Sequence, residues 1–286
     1  MTSTLMRSRQ PALISTASRT VSQFMNSAEG NAPQNKVHVI GYPFAGGQGL
    51  QGPELSPGWL FRQDWLQDLE VNKGVSVEMV HPEARILWVD AHIDANTPAS
   101  SPSSNMHGMP VATLAGLVPN VNRKPCLSLQ HLIYFGIRSY EPEEIKLIEK
   151  HNIPWYDSRV CHPDRLPDMK KEIDKHFFPD GQRTPYWISF DIDGVDKSEF
   201  ASTGTPEGQG ISLKFMMKFF ETFLPEACGM DFTEVNFLQS ADEDDQQQID
   251  MLTVRLIVEK VVNIVHHKDK KKEEIKNSKY QYGRKF

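Results

Sequence analysis

Residues 84–94 read ARILWVDAHID, an apolar run that ends in alternating acidic and imidazole side chains. The run is typical of a buried strand, and side chains two residues apart on a strand point to the same face. We therefore predict that Asp90, His92 and Asp94 lie on one face at the carboxyl end of a strand. Polar groups at the ends of buried strands are a common place for chemistry in α/β proteins.

A second stretch of the same kind lies further along the chain, where residues 187–193 read WISFDID. Buried carboxylates are costly without a counter-charge, and Asp191 and Asp193 add two more to the set. Carboxylate oxygens with few imidazoles favour Mn²⁺ or Mg²⁺ over Zn²⁺, so the two motifs predict a pair of divalent ions and metal-assisted hydrolysis. The alternative is that each motif is a set of surface residues at a strand end, which the presence of two motifs makes less favourable.

Composition narrows the class of protein. The 286 residues are 39% hydrophobic and carry a net charge of −6, which is typical of a globular protein and argues against a nucleic-acid surface. No apolar run approaches the length of a membrane span. The three cysteines form no CxxC pair, so we interpret them as small hydrophobic residues in a reducing compartment: Cys126, Cys161 and Cys228.

The ends of the chain differ from its middle. Residues 1–28 contain three arginines and no acidic residue, which is typical of a mitochondrial transit peptide, with an untargeted cytoplasmic protein as the alternative. We predict a disordered or transit-peptide-like N-terminus over 1–35, one folded domain over 36–266, and a charged, solvated tail over 267–286.

Within the domain, strand-like and helix-like patterns alternate, which favours an α/β fold with a mainly parallel sheet and a ligand site at the carboxyl ends of its strands. Strands are predicted at 36–41, 84–89, 132–136, 186–190 and 229–234, and helices at 142–151, 168–177, 213–223 and 246–266.

The motifs, taken in order, resemble those of the ureohydrolase family, and within it arginases more than agmatinases. The resemblance covers roughly residues 37–266 and rests on DAHIDANTP (90–98), SSNMHGMP (103–110), SFDIDGVD (189–196), STGTP (202–206) and MDFTEVN (230–236). It implies a three-layer arginase-like sandwich that hydrolyses L-arginine to L-ornithine and urea by a hydroxide bridging two Mn²⁺ ions. It also implies a homo-oligomer, a trimer by resemblance, while the composition predicts no nucleic-acid or membrane partner.

The resemblance assigns roles by position. His107 matches a proton-shuttle histidine, and Glu234 matches the carboxylate that holds the substrate guanidinium; without the motifs they would be a loop histidine and a solvated acid. The manganese ligands match Asp90, His92, Asp94, Asp191 and Asp193, of which Asp90 and Asp191 take the bridging positions. The other substrate contacts match Asn96, Ser103, Glu141 and Thr205.

The sequence also departs from the family. Arginases carry a Gly-Gly-Asp-His segment before the first acidic motif, whereas only His38 and His81 precede His92 here. We predict an internal deletion that removes one or more strands and leaves one metal site incomplete. Glu141 stands where arginases have an aspartate. An agmatinase-like guanidino hydrolase, or an inactive variant that modulates full-length subunits, therefore remains an alternative to an active arginase.

Overall fold

The structure is a computed structural model that describes residues 85–119, 125, 127–184, 186–240 and 244–282, and the backbone of residues 36–37 and 73–74. Side chains of the last helix are described to residue 265. The predicted N-terminal segment over 1–35 and most of the predicted strand over 36–41 lie outside these residues.

Two compact units divide the chain: residues 1–38 with 71–76, and residues 39–70 with 77–286. In the first unit, strand β1 (Lys36–Val37) pairs antiparallel with strand β2 (Lys73–Gly74). The second unit contains the sheet and the helices described below.

A five-stranded parallel sheet forms the centre of the second unit. Its strands are β3 (Arg85–Val89), β4 (Leu132–Ile137), β5 (Trp155–Asp157), β6 (Tyr186–Asp191) and β7 (Ala227–Thr233). Four of the five were predicted from their apolar runs. The three-residue β5 was not, because it is too short to show an alternating pattern.

Helices follow the strands along the chain, as predicted for an α/β fold. They are α1 (Pro110–Leu114), α2 (Pro142–His151), α3 (Leu166–Phe177), α4 (Leu213–Phe223) and α5 (Asp244–Tyr282). The last one continues through most of the segment predicted as a solvated tail, whose many Lys and Glu residues are good helix formers without an apolar face. None of the helices within the described residues combines the length and the hydropathy of a membrane-spanning segment.

Strand residues alternate between two hydrophobic cores, one on each face of the sheet. Leu87 and Val89 of β3 pack in the core that α3, α4 and α5 cover. Trp88, between them, packs in the core that α1 and α2 cover. The result is a three-layer α/β sandwich, which confirms the predicted fold class.

The strand order is β5-β4-β3-β6-β7, so the chain moves outward from β3 to one edge and then returns to build the other side from β6. The order of the strands therefore reverses between β3 and β6. In open parallel sheets, ligands bind outside the carboxyl ends of the strands at this point. The two acidic motifs of the sequence follow β3 and β6.

Candidate metal centre

Three of the predicted ligands meet where the strand order reverses. His92 Nδ1 lies 3.1 Å from Asp193 Oδ2 and 3.4 Å from Asp90 Oδ1. The potential ligand atoms of these three residues all lie within 4.8 Å of one another, the one such group of three or more found in the described part of the chain. Asp90 and His92 come directly after β3, and Asp193 directly after β6, so adjacent strands position the group.

Neighbouring donors orient both carboxyl oxygens of Asp90. The Trp88 indole N–H donates to Oδ2 at 2.9 Å, which the shared strand face of the two residues allows. The His92 backbone N–H donates to Oδ1 at 2.7 Å. Asp90 is almost fully buried, so these contacts, rather than solvent, fix the orientation of its carboxyl group.

Asp193 is held in a similar way from a different element. It lies in a short 3-10 turn (Ile192–Gly194), where its backbone N–H donates to the Asp191 carboxylate at 2.9 Å. Its own carboxylate accepts from the Ala91 backbone N–H at 3.1 Å and from the Thr205 hydroxyl at 2.9 Å. The turn, β3 and the loop that carries Thr205 thus converge on one side chain.

The three side chains shift one another's pKa. Burial, with the charge of Asp193, raises the pKa of Asp90 to about 7. Burial alone would lower the pKa of His92, but the hydrogen bonds and charges of Asp193 and Asp90 outweigh it and raise that pKa to about 12. The protonated imidazole is therefore a positive partner of the two buried carboxylates, a place that a metal ion can take, and the oxygen and nitrogen atoms of the three residues are a suitable donor set for Mn²⁺.

Asp191 and Asp94 are the other two predicted ligands, and the charges of the group shift their pKa values. Burial, and then the charges of Asp193 and Asp90, raises the pKa of Asp191 well above its usual range. Burial and the charge of Asp90 do the same for Asp94, whose backbone has a left-handed φ of 56°. Neither residue belongs to the group of three, so their assignment as ligands stays a prediction.

His107 and Glu234 flank the group. His107 lies half-buried in the turn Met106–Gly108, and burial, with the charge of His92, lowers its pKa. Glu234 follows β7, is partly buried, and has a left-handed φ of 62°, which is unusual for a long side chain. Its charge contributes to the raised pKa of Asp191. Both residues are therefore near the centre, while their catalytic roles remain predictions.

The predicted substrate contacts lie in three places. The Asn96 amide donates to Glu141 Oε2 at 2.8 Å, so these two residues form a polar pair between the segment after β3 and the start of α2. Ser103 lies in an exposed loop, where its hydroxyl accepts from the Asn105 backbone N–H at 3.2 Å. Thr205 was predicted to lie in the substrate-pocket loop; its hydroxyl donates to Asp193 Oδ2 at 2.9 Å, and its role toward the substrate stays a prediction.

Three side chains at the centre were not predicted. Trp88 could have been found, because it lies two residues before Asp90 on the same strand. Arg138 donates to the Asp193 backbone carbonyl at 2.7 Å, and Glu144 accepts from the Ala95 backbone N–H at 2.9 Å. These two contacts join segments far apart in sequence, and no local pattern indicates them.

Fold and site together define an α/β protein with a carboxylate-rich candidate metal centre at the reversal of its strand order. Residues 69–262 match the Arginase family. Human Arginase-1 is 33% identical over 168 residues, which are 55% of this chain and 52% of that protein. Arginase, non-hepatic 2 of Xenopus laevis is 34% identical over 188 residues, 62% of this chain and 51% of that one. The chain thus belongs to the arginase family, and it spans about half the length of these relatives.

Solved structures agree with this assignment. The arginase of Entamoeba histolytica, crystallised in complex with L-ornithine, superposes with a TM-score of 0.54 at 29% identity over 64% of this chain and 61% of that one. An arginase from Bacillus subtilis superposes with a TM-score of 0.53 over 63% of each chain, and at 24% identity it supports the fold alone.

Proposed function

We propose that this chain is an arginase-type hydrolase that converts L-arginine and water into L-ornithine and urea with the help of two Mn²⁺ ions. The observation that carries the proposal is the convergence of Asp90, His92 and Asp193 at the carboxyl ends of β3 and β6, in a chain of the arginase family. The Entamoeba histolytica relative was solved with L-ornithine, which supports an amino acid with a basic side chain as the ligand.

The ions would be held by Asp90, His92 and Asp193, with Asp94 and Asp191 completing the set. When bound, they would supply a hydroxide nucleophile at neutral pH. The buried carboxylates keep their direction through fixed donors such as the Trp88 indole and the Thr205 hydroxyl. Such preorganised partners of metal ligands commonly contribute ten- to a hundredfold in affinity or activity.

The remaining residues would bind the substrate and move a proton. Glu234 would orient the planar guanidinium by charge-assisted hydrogen bonds. The Asn96 and Glu141 pair would face the α-carboxylate and α-amino groups, with Ser103 approaching from its loop. His107, half-buried beside His92, would carry a proton from solvent to the leaving amine of ornithine.

A second function has an observation in its favour. The chain lacks the Gly-Gly-Asp-His segment of the resemblance, and with it an imidazole ligand. A chain with one incomplete metal site could be inactive by itself and modulate full-length subunits. Mixed oligomers after co-expression with a full-length arginase, with altered activity, would support that function.

The active form is proposed to be a homo-oligomer located in the mitochondrion, with the cytoplasm as the alternative.

The direct test is urea release by the purified chain with added Mn²⁺, using L-arginine and agmatine as competing substrates. We expect urea from L-arginine, and a loss of about ten- to a hundredfold or more for Asp193→Asn, which removes one carboxylate oxygen from the centre. A preference for agmatine would favour an agmatinase-like hydrolase. A folded chain that binds Mn²⁺ and releases no urea from either compound would contradict the proposal and favour the modulator.

A further inference from the structure

Arg138 lies next to the candidate metal centre and joins several segments of the backbone around it. It follows β4, and its guanidinium donates six hydrogen bonds, all to main-chain carbonyl oxygens. The acceptors are Asp193 at 2.7 Å, Glu207 and Gly208 at 2.9 Å, Gly136 and Gly194 at 3.1 Å, and Val195 at 3.2 Å. A guanidinium has five N–H groups, so the two on Nη2 are shared among three carbonyls and the whole donor capacity is used on the backbone.

These carbonyls belong to three separate segments, which Arg138 joins. One is the end of β4, where Gly136 has a φ of 90° and the pairing with β5 shifts register. At that glycine a Cβ atom would lie 2.9 Å from the Asp90 carbonyl oxygen, so the close approach of the two strands depends on it. The other two segments are the turn that contains Asp193 and the loop around Glu207.

The same loop carries Thr205, whose hydroxyl donates to Asp193 Oδ2 at 2.9 Å. Arg138 therefore fixes the backbone of Asp193 directly, and it fixes the loop that orients the Asp193 carboxylate. A lysine has three donors on one atom, so it could replace at most three of these hydrogen bonds and would lack the planar fork that spreads them over the three segments.

The charge of Arg138 is placed to act on the centre. Burial lowers the pKa of the guanidinium, and the nearby carboxylates of Asp193, Glu207 and Asp196 act in the opposite direction. All six of its hydrogen bonds go to neutral carbonyls, so the positive charge offsets the repulsion among the nearby carboxylates without occupying their oxygens.

We propose that Arg138 is a positioning residue of the metal centre, which sets the Asp193 turn and the Thr205 loop so that the three ligands meet. This inference rests on the proposed function, because it requires that the centre binds metal. The proposed role of Arg138 is geometric. Binding of the metal should therefore need the fork of guanidinium donors as well as the positive charge.

The test compares Mn²⁺ affinity, measured by the electron paramagnetic resonance signal of free Mn²⁺, for Arg138→Lys and Arg138→Met. Two controls separate positioning from stability. Met169→Ala truncates a fully buried side chain of α3 and lowers stability from the core, and Arg159→Lys changes an exposed arginine that pairs with Asp157. We expect both Arg138 variants to bind Mn²⁺ about ten- to a hundredfold more weakly and both controls to bind it as the unaltered chain does.

Equal Mn²⁺ affinity in Arg138→Lys and the unaltered chain would overturn the fork requirement, and equal affinity in a folded Arg138→Met would overturn the inference altogether. A loss no larger than that of Met169→Ala would also overturn it, since a general loss of stability would then explain the result. If Arg138→Met does not fold, the Mn²⁺ affinity of Arg138→Lys decides whether the inference stands. If the unaltered chain binds no Mn²⁺, the proposed function fails first, and the inference fails with it.

Discussion

At the scale of single residues, each carboxylate of the candidate metal centre is directed by a donor that the fold supplies. The motifs DAHID and DID predict that Asp90, His92 and Asp193 lie near one another, because each motif follows an apolar run typical of a buried strand, whereas Asp94 and Asp191 lie outside this group of three. They do not predict Thr205 or Arg138 as their partners, because those contacts depend on loops that return from distant parts of the chain.

Trp88 offers a test at this scale. In Trp88→Phe the ring stays in the core, but the N–H that donates to Asp90 Oδ2 at 2.9 Å is lost. We expect Mn²⁺ affinity to fall about tenfold or more, because a partner of a metal ligand is removed. Isothermal titration with Mn²⁺ measures it.

Trp187→Phe is a matched control. Trp187 lies on the adjacent strand and donates to Asp231, outside the candidate metal centre. Its variant should retain the affinity of the unaltered chain. An equal loss in both tryptophan variants would contradict a specific role for Trp88.

At the scale of elements, the bounds of the helices show how well the sequence predicts where a helix begins and ends. Helix α2 begins and ends as predicted, because Pro142 occupies its first turn and Asn152 ends it in a left-handed conformation with φ of 52°. Helix α4 also has the predicted bounds, with the Ser212 side chain accepting from the Phe215 backbone N–H at its start. Helix α5 exceeds its predicted end, since its charged C-terminal part has no apolar pattern to indicate a helix.

The start of α2 predicts a pH dependence of stability. Glu144 accepts from the backbone N–H groups of Glu141 and Ala95, and burial, with a hydrogen bond shared with Glu141, raises its pKa from 4.5 to about 8. Folding therefore favours the protonated form, and the associated stability is complete below pH 4.5 and is lost as the pH rises through about 8.

The unaltered chain should thus lose thermal stability relative to Glu144→Gln as the pH rises from 4.5 to about 8. Melting temperatures of both proteins across that range provide the measurement. A difference that does not change with pH would show that Glu144 does not titrate in this way.

Helix α5 is fixed to the loop before Thr205 by one buried carboxylate. Asp250 is fully buried and accepts from the Ser202 backbone N–H at 2.8 Å, the Ser202 hydroxyl at 2.6 Å and the Ala201 backbone N–H at 3.2 Å. Asp250→Ala leaves these donors without their acceptor, which should cost at least about 2 kcal/mol in the free energy of unfolding. Urea denaturation measures this loss.

Glu259→Ala is the control on the same helix, because it removes a surface ion pair with Arg255. That change should stay within about 1 kcal/mol. If the two variants unfold at the same urea concentration, Asp250 does not fix the helix as described.

At the scale of the whole molecule, the candidate metal centre depends on the order of the strands. Apolar runs in the sequence predict four of the five parallel strands and the α/β class. They do not predict that β3 and β6 are neighbours, because strand order arises from how helices cover both faces of the sheet. That neighbour relation brings two motifs, far apart in sequence, into one group of ligands.

Binding of Mn²⁺ to the purified, folded chain, compared with Asp193→Asn, is the most direct measurement of this claim. Saturable binding that the substitution weakens about tenfold or more is the expected result, because Asp193 joins the β6 motif to Asp90 and His92. A folded chain that leaves added Mn²⁺ free in solution, or that binds it equally well after the substitution, would contradict a metal centre between β3 and β6.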